Sequence, residues 1–210
     1  MFYWLLKTVL TPVLRFFYRV RVKGLGHVPE TGPAILASNH LSFCDSIFLP
    51  LVLRRRITFA AKAEYFENPR TAWILRALGQ IPMNRGGGLA AQRALDSAKD
   101  VLDAGGLFGI YPEGSRSRDG RLHSGRTGVA RLAMDCRVPV LAVGMIGTAE
   151  LQPVGRTLPR FFKPVEINIS QPISLDDRSL DKRSSSLARR QVTDDIMLAV
   201  GRQSGQEYVG

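Results

Sequence analysis

Six short apolar runs, 34–38 (AILAS), 57–61 (ITFAA), 80–84 (QIPMN), 107–111 (LFGIY), 138–143 (VPVLAV) and 163–169 (KPVEINI), alternate with stretches that read as helix. That alternation restricts the chain to an α/β fold, because apolar strands separated by crossover helices bury themselves in a largely parallel sheet. Helices are expected near 43–54, 69–78, 89–104 and 125–136. In the third, Leu89, Ala90, Arg93, Ala94, Ala98, Val101 and Leu102 recur at helical spacing, and Gly105 and Gly106 supply a C-terminal stop. Residues 170–186 turn polar and charged, as a surface connection would, and a last helix near 187–201 packs back. One core serves up to about 250 residues. The 210 residues are therefore expected to form a single α/β domain with a mixed, mostly parallel sheet flanked by helices. With 45% apolar and 22% charged residues, disorder is not the default.

The first twenty residues, MFYWLLKTVLTPVLRFFYRV, are apolar and aromatic, but Lys7, Arg15 and Arg19 interrupt any run long enough to cross a bilayer. They also lack the small-residue cleavage site of a secretory leader. At about 100° per residue, Lys7, Thr8, Thr11, Arg15 and Arg19 fall within one arc of roughly 120°, leaving the large apolar side chains elsewhere. Residues 1–22 are expected to form an amphipathic membrane-interface helix, with residues 23–210 as the domain proper. The competing reading is an amphipathic helix that packs on the core. The 29 lysines and arginines exceed the 18 acids, giving a formal charge of +11 and favouring an anionic partner: a phospholipid surface, nucleic acid or a phosphorylated small molecule. Aromatic residues cluster at the N terminus instead of interleaving with downstream cations, so a membrane is expected and nucleic acid is not.

The two cysteines, Cys44 and Cys136, lie far apart in apolar stretches, which suits a reduced intracellular compartment. His27, His40 and His123 form no recognisable ligand pattern, and no metal is assigned.

The run AILAS stops at Asn39 and His40, and Asp45 follows five residues later. In open α/β sheets ligands gather at the carboxyl ends of strands, which is where His40 falls. Residues five apart on one continuous helix point about 140° from each other, so a His40–Asp45 pair requires the helix to begin between them. Ser42 offers that start, because S-x-x-D is close to a capping box. Asp45 would then hold one ring nitrogen and leave the other as a base. Two structural readings stand beside this: Asp45 as a simple cap, and His40 as a satisfied histidine at a strand end. Cys44, four residues after His40, is a further candidate as a covalent nucleophile, set against ordinary apolar packing.

A basic turn, YPEGSRS, follows the run at 107–111. Pro112 and Gly114 shape it, while Ser115, Arg116 and Ser117 offer hydroxyls, a guanidinium and N–H groups that suit a phosphate. Glu113 would repel a phosphate and is assigned to ordering the loop. Arg85, beside three glycines in QIPMNRGGG, also ends a strand. Each of these segments also reads as a solvated surface turn.

In order, N-H-x-x-x-x-D, G-x-x-x-x-x-R, Y-P-E-G-S-R-S and V-P-V-L-A-V resemble the four sequence blocks of the glycerolipid acyltransferases, most of all the bacterial 1-acylglycerol-3-phosphate acyltransferases. The resemblance covers about residues 24–148. It implies that His40 is the general base with Asp45 as its partner. It also implies that Arg85, Glu113, Gly114, Ser115 and Arg116 bind the acceptor phosphate. Val138, Pro139 and Val140 would help form the acyl-donor region, as would Lys62 in the K-x-E segment with Glu64. Pro82, Met83 and Ala142 depart from the usual pattern of the blocks, and Tyr111 and Ser115 replace a common phenylalanine and threonine conservatively.

The expected reaction is direct acyl transfer from an acyl-CoA or acyl carrier protein thioester to lysophosphatidate, giving phosphatidate. It needs no cofactor, no metal and no enzyme nucleophile. The expected location is the cytoplasmic face of the plasma membrane, on anionic phospholipid. Acylation of glycerol 3-phosphate or another lysolipid, and a non-catalytic basic binding module, are the alternatives.

Overall fold

Ala34–Ser38 is buried at every position, as a central parallel strand covered on both faces should be. A computed structural model describes residues 2–83, 88–156, 158–173, 175 and 185–210. In chain order its main elements are α1 (Phe2–Phe17), β1 (Val20–Lys23), β2 (Ala34–Ser38), α2 (Asp45–Val52), β3 (Ile57–Lys62), α3 (Pro69–Ala77), β4 (Ile81–Met83) and α4 (Gly88–Asp103). There follow β5 (Leu107–Ile110), β6 (Leu122–His123), α5 (Gly128–Cys136), β7 (Val140–Ile146), α6 (Thr148–Leu151), β8 (Val165–Ile169), α7 (Ser186–Ser204) and β9 (Tyr208–Val209).

Seven strands form one sheet in the order β1-β8-β7-β2-β5-β3-β4. From β7 to β4 every pairing is parallel, β8 runs antiparallel to β7, and β1 is parallel to β8. This is the mixed, mostly parallel α/β sheet the alternation predicts. Side chains alternate between its faces. Ala34 and Leu36 pack with Phe48, Leu49 and Leu53 from α2 and its C-terminal end. Ile35 and Ala37 face the opposite layer, with Leu102 of α4, Val129 and Ala133 of α5, and Ile196 and Val200 of α7. Helix α7 lies directly on β7 at Gly144, where a Cβ would come within 2.2 Å of the Gln203 backbone. Ser185 caps its start by accepting the Ala188 N–H, and Gly205, at φ 72°, ends it.

The N-terminal segment differs from the single helix expected over residues 1–22. The helix stops at Phe17, and Val20–Lys23 pairs with β8 in the register Val20↔Val165 to Lys23↔Asn168. The alternation of VRVK is that of an edge strand with one covered face, and β8 offers it a free edge. Lys7 does not join an outward cationic arc. Its ammonium donates to the carbonyls of Pro50 (3.0 Å) and Leu53, and Tyr3 Oη donates to Pro50 O at 3.5 Å. A cation thus meets the carbonyl end of α2, where the helix dipole favours it. Burial pushes the Lys7 ammonium below its ordinary pKa. The outward face is largely apolar: Trp4, Leu5, Val9, Val13 and Phe16 are exposed, beside Thr8 and Arg15. No helix among the described residues is long and apolar enough to cross a membrane.

Candidate active site

Strand β2 ends at Ser38 and α2 begins at Asp45, so His40 precedes the helix, as the pairing requires. Nδ1 of His40 lies 2.9 Å from Asp45 Oδ2, the same oxygen that accepts the N–H groups of Leu41 and Ser42, each at 2.8 Å. The Ser42 bond is the backward half of a capping box. In place of the forward half, Ser42 Oγ accepts the Cys44 N–H at 3.2 Å. Because a carboxylate accepts at Nδ1, that nitrogen carries the proton and Nε2 keeps its lone pair. Asp45 is fully buried and His40 is 9% exposed.

The end of β2 is clamped by a side chain that imitates backbone. The β2–β7 ladder ends with Ser38 opposite Val143. Asn39 extends it: its Oδ1 accepts the Met145 N–H at 2.7 Å and its Nδ2 donates to Met145 O at 2.9 Å. Nδ2 also donates to Gln206 Oε1 at 2.6 Å. His40 is thereby launched from a rigid platform.

The turn after β5 closes over this loop. Ser117 N–H donates to His40 O at 2.8 Å, and the His40 ring stacks on Tyr111, with centroids 3.9 Å apart. Burial, reinforced by the charge of Asp45, holds the Tyr111 phenol well above its ordinary pKa, against a 2.9 Å hydrogen bond with Ser46. Gly114 adopts φ 74°, a left-handed conformation that favours glycine in this turn, with the Arg126 side chain packed against it. Glu113 faces inward. Its Oε1 accepts the His123 N–H at 3.0 Å, while Oε2 is buried with no partner among the described residues. Burial raises its carboxyl pKa, opposed by the backbone N–H groups of His123 and His40.

Two cavities meet at Arg116, and the first of them reaches His40. The first, about 500 Å³, is walled by apolar side chains including Leu6 and Leu10 of α1, Ile47 and Leu51 of α2, and Leu75 and Leu78, with His40, Lys62 and Arg116 as polar lining. The second, about 550 Å³, is polar, and is lined by Glu113, Ser115, Arg116, Arg118, Asp119 and His123. The His123 Nε2 contact at 3.0 Å, followed by the Arg121 N–H, brings the Asp119 carboxyl pKa down to about 2. The apolar slot that holds the imidazole therefore shares Arg116 with a polar basin of mixed charge.

His40, Asp45, Glu113, Gly114, Ser115 and Arg116 are brought together here. Lys62 lines the apolar cavity and pairs with Glu64. Arg85 lies outside the described residues. Val138, Pro139 and Val140 are not at the site, which corrects their assignment to the acyl-donor region. Val140 pairs with Ile35, at the opposite end of the parallel strands from His40, and Val138 and Val140 are core residues. Strand direction decides this: the end of β7 that reaches the site is Met145, through Asn39. Cys44 is no activated nucleophile. Burial holds its thiol above the ordinary pKa, and Sγ donates to Gln152 Oε1 at 3.2 Å. Asn39, Tyr111 and Gln152 are the site residues that sequence reasoning left without a role. The traces of the first two were their positions at strand ends and their places in the first and third sequence blocks. Among the described residues no cluster of three or more His, Cys, Asp or Glu side chains could hold a metal ion.

A strand-end His–Asp pair in an apolar cavity that meets a polar basin at Arg116, on this sheet, defines a class: the chain belongs to the acyltransferase family, whose pattern it matches over residues 19–146. It is 32% identical over 140 residues to the chloroplastic 1-acyl-sn-glycerol-3-phosphate acyltransferase of Arabidopsis thaliana, covering 66% of this chain and 39% of that one. Against the 1-acyl-sn-glycerol-3-phosphate acyltransferase of Borreliella burgdorferi it is 25% identical over 130 residues, covering 62% and 52%. The crystal structure of the 1-acyl-sn-glycerophosphate acyltransferase PlsC from Thermotoga maritima superposes with a TM-score of 0.67 at 31% identity, covering 89% of this chain and 72% of that one. The chain spans about two fifths of the length of the chloroplast relatives it matches.

Proposed function

We propose that the protein transfers a fatty acyl group from an acyl thioester, carried on coenzyme A or acyl carrier protein, to the free hydroxyl of lysophosphatidate, forming phosphatidate. The observation that carries this reading is the 2.9 Å His40 Nδ1–Asp45 contact, which leaves Nε2 as the base in an apolar cavity that meets a polar one at Arg116. The relatives' shared activity on 1-acylglycerol phosphates supports the choice of acceptor.

In this reading Nε2 takes the proton of the acceptor hydroxyl as its oxygen attacks the thioester carbonyl. The tetrahedral oxyanion collapses and expels the carrier sulfur, which receives the proton back from the imidazolium. A thioester carbonyl is already electrophilic, so positioning and proton removal suffice, and neither a resident metal nor a covalent enzyme intermediate is required. General-base catalysis by His40 contributes roughly 10²–10⁴-fold. Arg116 and the turn around it hold the phosphate, with Arg85 assigned to the same task, and the apolar cavity receives an acyl chain. Asp45 orients the ring and stabilises the imidazolium.

The protein is placed peripherally on anionic phospholipid at the cytoplasmic face of the membrane, through the exposed apolar face of α1. Purified protein should be assayed with both carriers against lysophosphatidate, glycerol 3-phosphate and other lysolipids. Turnover with lysophosphatidate is expected, and turnover only with another acceptor would reassign the substrate.

A further inference from the structure

The connection from α6 to β8 is unusual in what it exposes. Leu158 is 72%, Phe161 60% and Phe162 71% exposed, in a segment where water-facing positions would ordinarily be polar. Phe162 adopts φ 62°, a left-handed conformation that a bulky side chain rarely takes and that a surface loop has no local reason to keep. The conformation is held in place: Phe162 N–H donates to Phe17 O at 3.1 Å, and Arg160 N–H donates to Leu151 O at 2.8 Å. Phe17 touches both phenyl rings, at centroid distances of 5.3 Å for Phe161 and 6.0 Å for Phe162. Two consecutive rings are thus presented outward by a pinned turn and not left on a loose one.

The position and charge of the segment select its occupant. It abuts the C-terminal end of α1, so its apolar tip is continuous with the exposed face that includes Phe16. Between Leu151 and Pro164 the sequence carries Arg156, Arg160 and Lys163 and no acid. Arg156 and Arg160 are exposed, and Lys163 pairs only peripherally with Glu150 at 3.5 Å. Aromatic and aliphatic tips ringed by cations match an anionic lipid interface, where rings enter the acyl boundary and cations remain among headgroups.

We propose that residues 158–163 form a second membrane-contacting element, which inserts Leu158, Phe161 and Phe162 into an anionic phospholipid surface beside α1. This rests on the peripheral membrane placement above and adds to it a two-point contact. One helix lying in an interface can still roll about its axis. A rigid loop fastened to its end removes that freedom and fixes how the apolar cavity faces the bilayer.

The test is partitioning of the full-length protein onto vesicles of equal phosphatidylcholine and phosphatidylglycerol, compared with pure phosphatidylcholine. F161S/F162S is expected to bind the mixed vesicles at least tenfold more weakly. Arg160→Gln should lose about fivefold on the mixed vesicles and little on the neutral ones. As a readout independent of the Phe variants' folding, Leu158→Trp in a Trp4→Phe/Trp73→Phe background, free of the two exposed native tryptophans, should shift its fluorescence to the blue on mixed vesicles and be quenched by brominated acyl chains. If wild-type protein binds vesicles but Leu158→Trp stays in water and F161S/F162S binds equally well, the loop proposal falls while the α1 anchor stands. If wild-type protein binds no vesicles, both fall. A wild-type dimer in sedimentation that F161S/F162S dissociates, with vesicle binding unchanged, would assign the surface to a second copy instead.

Discussion

The imidazole of His40 lies flat on the ring of Tyr111, with planes 12° from parallel, and the Tyr111 hydroxyl is tied to Ser46 at 2.9 Å. The stack supports the ring that Asp45 orients through its edge. Tyr111→Phe preserves the stack and loses one hydrogen bond, so it should cost about 1 kcal/mol of stability and leave turnover within a few-fold. Tyr111→Ala removes the support, opens a cavity and should destabilise by about 3–5 kcal/mol. Its kcat should fall much more than its KM changes. Denaturant titrations and steady-state kinetics on both variants check this.

Asp45→Asn tests the charge behind the imidazole. An amide has one acceptor oxygen for the three donors that now converge on Oδ2. With the amide oxygen at the Oδ2 position all three donors keep their acceptor, but the NH₂ takes the place of the buried Oδ1, which has no partner among the described residues, and the negative charge that stabilises the imidazolium is lost. Loss of roughly 10²–10⁴ in kcat is expected with KM nearly unchanged. Retention of full turnover would remove Asp45 from the mechanism.

Asn39→Ala should be among the more damaging substitutions near the site, because it strips the partners from both the N–H and the C=O of Met145 inside the core. About 2–4 kcal/mol of destabilisation is expected. Gln206→Ala should cost only about 1 kcal/mol, since Asn39 keeps both Met145 bonds. Chemical denaturation of the two variants measures the contrast.

Glu113 predicts a pH dependence. Its carboxyl pKa is raised in the folded protein above the ordinary 4.5, chiefly by burial, so the folded state holds this proton more tightly than the unfolded chain does. The resulting stabilisation is complete below 4.5 and is lost as pH rises through the raised folded value. Glu113→Gln keeps an acceptor for the His123 N–H but cannot titrate. The variant should lack that decline, so its stability relative to wild type should rise from about pH 4 to about pH 7. Urea midpoints across that range give the comparison, and parallel curves would contradict it.

What the sequence made legible was local. The His40–Asp45 geometry could be derived because both residues lie within one strand-to-helix turn, where five-residue spacing leaves few arrangements. The parallel strands were visible because burial on both faces writes them as continuous apolar runs, AILAS being the clearest. β1 was not, because an edge strand covered on one face alternates Val with Arg and Lys, and VRVK merged with the basic end of the helix before it. The inward turn of Lys7 depended on where the carbonyl end of α2 would fall. Asn39 and Tyr111 take their roles from Met145 and His40, partners 106 and 71 residues away, which no local pattern encodes. The misplacement of Val138–Val140 has the same origin: the run identified a strand, but only the sheet register says which end of it meets the site.

His40 acts in the reaction as the base that removes a proton from the acceptor, and its backbone bond to the Ser117 N–H does not depend on the ring. Release of free carrier thiol with lysophosphatidate should be measured for wild type and His40→Ala under saturating substrates, alongside vesicle binding and thermal melting of both. Wild type should turn over steadily, and His40→Ala should lose roughly 10²–10⁴ in kcat with vesicle binding and folding retained. Turnover by a folded His40→Ala protein at the wild-type rate would contradict this role for His40.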